Sequence, residues 1–273
     1  MAATLRVVSW NIRSAIGPGP FPDRWWSRID ADRLRSISDF LGGLDADIIA
    51  LQECALLSRD GQLVDNAGDL SRHLGMEVRY GATRSFEVIV DGRLCGVGSL
   101  GNAVLSCRRM LDSQTVALPA APVHALIEEP GVDHPAAGVR YADADPTIRE
   151  PRCLLLVDLD GLRVGTTHLS HIGSGERRLQ AEVVEASFGD ASPAFLLGDL
   201  NARIDALELA PLAEWADGFT EPPRGDAARI STDDDMLIDQ VLVRGATVTH
   251  CTVVRGSGTL SDHYPLVAEL AIP

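Results

Sequence analysis

The chain has 273 residues, 45% of them hydrophobic but only 5% aromatic, so it can bury a large core built mainly from aliphatic side chains, and with no Gly/Ser/Pro linker a single domain over residues 1–273 is expected. Its 39 acidic against 24 basic residues give a net charge of −15, which repels polyanions unless a local basic patch offsets it; the same balance suits a cluster of carboxylates around a divalent cation, or plain solubility. No run approaches the roughly 20 apolar residues of a transmembrane segment, MAATLRVVSW does not read as a secretory leader, and five scattered cysteines without a C-x-x-C pair point to a reducing cytoplasm rather than a cysteine-bound zinc.

Leu5 to Ser9 is apolar and β-branched and reads as a buried strand. A Gly/Pro-rich loop follows from Gly17 to Pro22, then Trp25 and Trp26, which either stack against a substrate or pack as core. Asp30 is placed to cap a helix with Leu34, Ile37 and Leu41 on one face. Asp47 to Leu51 is a second buried strand, expected to end at Gln52-Glu53, and Asn102 to Ser106 is a third. The span Met110 to Glu150, rich in Pro, Ala and Gly, reads as loops with short strands. Arg152 to Leu159 and Leu162 to His168 form a hairpin around Asp160-Gly161. Gly175 to Phe188 and Ala206 to Trp215 read as helices, and Ala194 to Leu197 as a strand. Leu237 to Val243, Thr247 to Val254 and Pro265 to Ile272 close the chain as strands. This order favours an α/β (α+β) protein with mixed sheets and helices outside.

Polar residues sit where apolar strand runs stop. Asn11 follows RVVSW, Glu53 follows IIALQ, Asn102 opens NAVLS, His168 follows VGTT, and Asp199 and Asn201 follow FLLG. Asp239 lies inside LIDQVLV, and Asp262-His263 precedes YPLVAEL. Each alone has an ordinary structural explanation, such as a turn or a satisfied buried histidine. Strand ends are rigid places to aim side chains, and polar residues on many strands can converge.

In this order, SWN, LQE, GNAVLS, THL, GDLNA, ID-x-VLV and SDHYPLVAEL resemble the endonuclease/exonuclease/phosphatase superfamily, from Ser9 to Leu270. Glu150-Pro151-Arg152 before a strand also looks like a segment of bacterial members. The resemblance implies a four-layer sandwich, two mixed β-sheets packed face to face and flanked by helices, with the active site at one end. It implies hydrolysis of a phosphomonoester or phosphodiester with Mg²⁺, for which Mn²⁺ can substitute.

Roles follow from the same resemblance. Glu53 corresponds to the principal metal carboxylate, with Asn11 beside it and Asp262 as a further one. Asp199 and Asn201 correspond to the pair that activates the attacking water. On an extended segment they would point to one side. His263, held by Asp239, and His168 correspond to phosphate-facing histidines, Asn102 to a phosphate-contacting amide, and Arg152 to a substrate contact. Either Asp199 or His263 is the general base, and either one or two metals take part. A catalytically inactive binding module would lack an equivalent of Glu53, Asp199 or His263, and none is missing.

His171 reads as a surface turn and Asp233-Asp234-Asp235 as a solvated acidic loop. The expected substrate is a phosphorylated small molecule or a phosphodiester. A nuclease is the alternative, but long duplex DNA is disfavoured, because Met110 to Glu150 carries Glu128, Glu129, Asp133, Asp143 and Asp145 against Arg140 and Arg149. Arg108, Arg109, Arg152, Arg177 and Arg178 suffice to grip one phosphate group rather than to track a duplex. The pattern sets no oligomeric state.

Overall fold

Alternation along the strands decides how the layers assemble, because each strand turns successive side chains to opposite faces. The computed structural model describes residues 3–19, 25–59, 61–90, 93–120, 139–141, 151–219 and 226–273. One sheet contains β1 (Ala3–Asn11), β2 (Ile48–Arg59), β3 (Gln62–Asp65), β4 (Glu77–Val90), β5 (Arg93–Ser106), β7 (Val139–Tyr141), β13 (Thr247–Val253) and β14 (Leu266–Ile272). Its order is β13-β14-β1-β2-β5-β4-β7, with β3 beside β2. The other contains β6 (Met110–Leu118), β8 (Arg152–Leu159), β9 (Leu162–His168), β10 (Ala194–Asp199), β11 (Ala216–Asp217) and β12 (Asp239–Arg244), in the order β11-β12-β10-β9-β8-β6. Both are mixed: β1 runs parallel to β2 and β9 to β10, while their other neighbours are antiparallel.

The facing surfaces form one apolar core. Leu5, Val7, Ile48, Ala50 and Val104 of the first sheet meet Leu155, Val157, Val164, Phe195, Leu197 and Val241 of the second. On the outside of the first sheet, α1 (Ala31–Gly42) and α2 (Asn66–Leu74) cover Val8, Trp10, Ile49 and Leu51. On the outside of the second, α3 (Ser174–Phe188) covers Leu154, Leu156 and Leu196. Four layers result, as the resemblance implied. α1 begins where expected, the Asp30 carboxylate accepting the N–H groups of Asp32 and Arg33. No described helix is long and apolar enough to cross a membrane.

Several elements differ from the sequence reading. β2 does not stop at Gln52-Glu53 but runs on to Arg59. Leu51 pairs with Ala103 and Cys54 with Gly101, so β2 holds one extra residue opposite Asn102, a β-bulge in which Glu53 has φ 55°. Asn102 therefore lies within the long β5 instead of opening a strand. Asp239 is the first residue of β12, not an interior one. In Met110 to Glu150 the described short strands are β6 and β7; β6 is a sheet edge whose middle residues are exposed on both faces, so its DSQT stretch lacks an apolar run. The helix expected over Ala206 to Trp215 is a short 3₁₀ segment, Leu207–Leu212, because Pro211 removes an N–H and blocks a regular α-helix. Trp25 and Trp26 are buried core, packed with Ile16, Leu57, Phe86 and Val88 under the far half of β2, and form no exposed stacking platform. The acidic residues Glu128, Glu129, Asp133, Asp143 and Asp145, with Arg149, lie outside the described residues.

α3 sits directly on β9 because Gly165 has no side chain there; a Cβ would run into the Phe188 ring. Gly165→Ala should therefore destabilise the protein by about 1–3 kcal/mol through overpacking. Adding Phe188→Leu to it should recover part of that loss. Urea unfolding measures both, and an unchanged midpoint for Gly165→Ala would contradict this packing.

Candidate active site

Each inward strand face changes from hydrocarbon to polar toward the same end of the sandwich. On β1 the inward series is Leu5, Val7, Ser9, Asn11; on β9 it is Val164, Thr166, His168; on β10 it is Phe195, Leu197, Asp199. β12 runs the other way and reaches the same end at Asp239. Register then does the rest: Asp199 is paired with His168 on one side and with Asp239 on the other. The three form one row across three strands. Asn11, the bulged Glu53 and Asn102 face them from the other sheet. Between core and row lies a polar layer in which the Gln52 amide donates to Thr166 Oγ1 at 2.9 Å and to Ser9 Oγ at 3.5 Å.

The segment before β14 closes the end. The Trp10 indole N–H donates to the His263 carbonyl at 2.9 Å, and Ser261 Oγ donates to the Asn11 carbonyl at 2.8 Å. Asp262 and His263 thereby join the row.

Asp199 is the hub and is almost fully buried. Its Oδ2 lies 3.2 Å from Asn11 Nδ2, 3.2 Å from His168 Nε2 and 3.8 Å from His263 Nε2. Its Oδ1 accepts the Asn201 N–H at 3.0 Å. The segment is thus a turn rather than extended: Asn201 has φ 50°, and its amide donates to the Leu169 carbonyl at 2.8 Å. Gly198 allows the close approach of β9, since a Cβ there would collide with the Thr167 carbonyl. Burial, then the neighbouring Asp239, push Asp199 up to about 7, partly offset by His263.

The two histidines are driven in opposite directions. His263 Nδ1 sits 2.8 Å from Asp239 Oδ2. Burial opposes its charge, but Asp239, Asp199 and Asp262 outweigh burial and raise its pKa well above the ordinary imidazole value. His168 is lowered well below that value by burial, then by the charges of Arg152, His263 and His171. Its Nδ1 is 3.6 Å from Glu53 Oε1, too far for a hydrogen bond.

Asn11 stands beside Glu53 as expected, but its oxygen takes the Arg13 backbone N–H at 3.0 Å, so its NH₂ group faces the carboxylates, 2.9 Å from Glu53 Oε1. Asp262 is half-buried, 3.2 Å from Arg13 Nε, and its pKa is raised by burial with an added push from Glu53. Asn102 is buried and donates to the Cys153 carbonyl at 2.9 Å. Arg152, which starts β8, is half-buried, and its charge reaches His168. His171 is exposed, consistent with a surface turn.

Gln52, Arg13 and Ser14 were not singled out from the sequence. Gln52 was findable, since it shares the inward parity of Ile48 and Ala50; Arg13 and Ser14 carry no local turn signal. Among the described residues, Asp199, Asp239 and His263 bring their ligand atoms within 4.8 Å of one another, a spacing that could hold a metal ion.

The sequence profile of the Endonuclease/Exonuclease/phosphatase family matches residues 8–263. No curated protein matches the chain. Among solved structures, an endonuclease/exonuclease/phosphatase from Beutenbergia cavernae is 23% identical with a TM-score of 0.72, covering 98% of this chain and 72% of that one. The mannosyl-6-phosphatase Bt3783 of Bacteroides thetaiotaomicron is 19% identical with a TM-score of 0.63, covering 98% and 100%. D. rerio TDP2 complexed with a single-strand DNA product is 15% identical with a TM-score of 0.57, covering 98% and 99%. Identities this low speak for a shared fold.

The opposed histidines can be read directly. At neutral pH, ¹⁵N NMR of the metal-free protein should show His263 doubly protonated and His168 neutral. Asp239→Asn should lower the His263 pKa, because it removes the charge that outweighs burial. A neutral His263 in the unmutated protein at pH 7 would refute this electrostatic picture.

Proposed function

The chain belongs to the endonuclease/exonuclease/phosphatase family, whose profile it matches over residues 8–263, and on that premise we propose that it hydrolyses phosphoester bonds with a divalent cation, Mg²⁺ first and Mn²⁺ as substitute. The supporting observation is the gathering of Glu53, Asp199, Asp239 and Asp262 against two imidazoles at one end of the sandwich. This donor set suits such an ion. It is rich in carboxylate oxygens, with Glu53 close enough to Asp262 to push its pKa up, and hard cations prefer oxygen.

Glu53 and Asp262 are the residues that would hold the ion, with Asn11 orienting Glu53 through its amide. Bound there, a divalent cation would neutralise phosphate oxygens and favour departure of the leaving oxygen. His263 lies between two carboxylates and so is placed to donate to the phosphate rather than to accept a proton. That leaves Asp199 as the base: it takes a proton from water as the water oxygen bonds to phosphorus and the P–O bond to the leaving group breaks, its electron pair staying on the leaving oxygen, a contribution of about 10²–10⁴-fold. Asn201 keeps Asp199 turned through its backbone N–H. His168, Asn102 and Arg152 complete the phosphate-facing wall. A cytoplasmic setting belongs to the same proposal.

The substrate we favour is a small or single phosphoester. Asp233, Asp234 and Asp235 are exposed on a loop tied to the site, the Asp233 N–H donating to the Asp262 carbonyl at 2.9 Å. An acidic rim there, with a net charge of −15, opposes a long polyanion. A nuclease is the second reading, favoured by the likeness to D. rerio TDP2, whose structure holds a single-strand DNA product.

Glu53→Gln keeps the shape and removes a ligand charge. Hydrolysis across a phosphoester panel should fall by orders of magnitude, as it should in excess chelator, and Mg²⁺ affinity should weaken. Full activity under either condition would sink the assignment. At physiological salt with Mg²⁺, small phosphoesters should be cleaved in preference to plasmid DNA. Catalytic nicking of plasmid with no activity on any small ester would reverse the substrate proposal.

A further inference from the structure

We propose that Arg13 is a positioning residue of this centre that acts through Asp262; the proposal rests on the phosphoesterase reading above. Directly after β1, Arg13, Ser14 and Ala15 have φ 47°, 51° and 61°. Three consecutive non-glycine residues in the left-handed region are costly, and such backbone persists where its surroundings over-determine it. Here the turn is closed by Ala15 N–H to the Ile12 carbonyl at 2.9 Å and Ile16 N–H to the Arg13 carbonyl at 3.0 Å.

The conformation ties together site residues from three separate parts of the chain. The Arg13 N–H holds Asn11 Oδ1 at 3.0 Å. Ser14 Oγ donates to the Glu53 carbonyl at 2.7 Å, at the bulge itself. Arg13 Nε lies 3.2 Å from Asp262 Oδ2, and its Nη1 donates to the Gly17 carbonyl at 2.9 Å. The guanidinium is therefore anchored on one edge and faces a carboxylate on another. Ser261 Oγ, whose one proton goes to the Asn11 carbonyl, lies 3.3 Å from the other Asp262 oxygen. Orientation of the carboxylate therefore falls mainly to Arg13. Arg13 is 7% exposed, so it is buried beneath the centre instead of standing in the path of a substrate.

Lysine would keep the charge but lose the planar fork. Arg13→Gln should lower kcat by roughly 10–100-fold, in the range typical of residues that orient a metal-site ligand, with little change in KM. Arg13→Lys should recover little of it. The decisive measurement is a cycle of Arg13→Gln, Asp262→Asn and the double variant, with bis(p-nitrophenyl) phosphate and the best ester of the panel as probes. A residue acting through Asp262 leaves the double variant no slower than Asp262→Asn alone.

A second readout needs neither metal nor turnover. In metal-free protein the Trp10 indole N–H, bonded to the His263 carbonyl, reports where the Asp262-His263 segment sits. Its NMR signal should move in Arg13→Gln and in Asp262→Asn, and no further in the double variant. Should Arg13→Gln fail to fold, Arg13→Lys carries the same cycle. An undiminished kcat in Arg13→Gln, an equal further loss in the Asp262→Asn background, or a loss confined to KM would overturn the proposal. No hydrolysis of any ester by the unmutated protein with Mg²⁺ would instead bring down the phosphoesterase reading, and the indole signal would then decide the coupling.

Discussion

Four carboxylates share the polar end of the sandwich, and their mutual repulsion is the condition to which the neighbouring structure answers. Asp199 and Asp239 are almost fully buried, where water screens them poorly. The charges that answer them come from distant parts of the chain: His263 against Asp239, Arg13 against Asp262. Where no full countercharge arrives, neutral donors serve, as with the Asn11 amide shared between Glu53 and Asp199. The two histidines diverge because only one of them is ringed by these acids. His263 has them on several sides and holds its proton, whereas burial, helped by the charges of Arg152 and His263, takes the proton from His168.

Much of this was legible in the sequence, because it depends on parity. A strand that buries Phe195 and Leu197 must turn Asp199 to the same side, and one that buries Val164 must do so with His168. The hairpin at Asp160-Gly161 and the Asp30 cap were legible because Asp and Gly have local reasons to sit there. What escaped were features set by contacts remote in sequence. A bulge leaves no mark in LQECALL, where Gln52-Glu53 reads as a strand end, so the bend that aims Glu53 within a continuing strand was invisible. Arg13 and Ser14 carry no signal for a left-handed backbone. Trp25 and Trp26 looked equally suited to stacking and to packing, and Phe86, 61 positions from Trp25 in the chain, decided for packing.

The layer of Ser9, Gln52 and Thr166 separates two environments that would otherwise interfere. Below it, aliphatic side chains fill the space between sheets; above it, charged groups need polar neighbours. Bridging from one sheet to the other, Gln52 ties them together at the depth where hydrocarbon stops, without introducing a net charge.

The row His168, Asp199, Asp239 is spaced by backbone ladders, and strands in a ladder lie about 4.8 Å apart whatever their side chains. That wall cannot widen or narrow without breaking a sheet. Any descendant of this chain that came to accept a larger or smaller molecule would have to do so by remodelling the loops around the sandwich end, leaving the ladder as a fixed ruler. Chemistry and choice of molecule can then drift apart over evolutionary time: the strands preserve one, and the connections between them are free to reinvent the other.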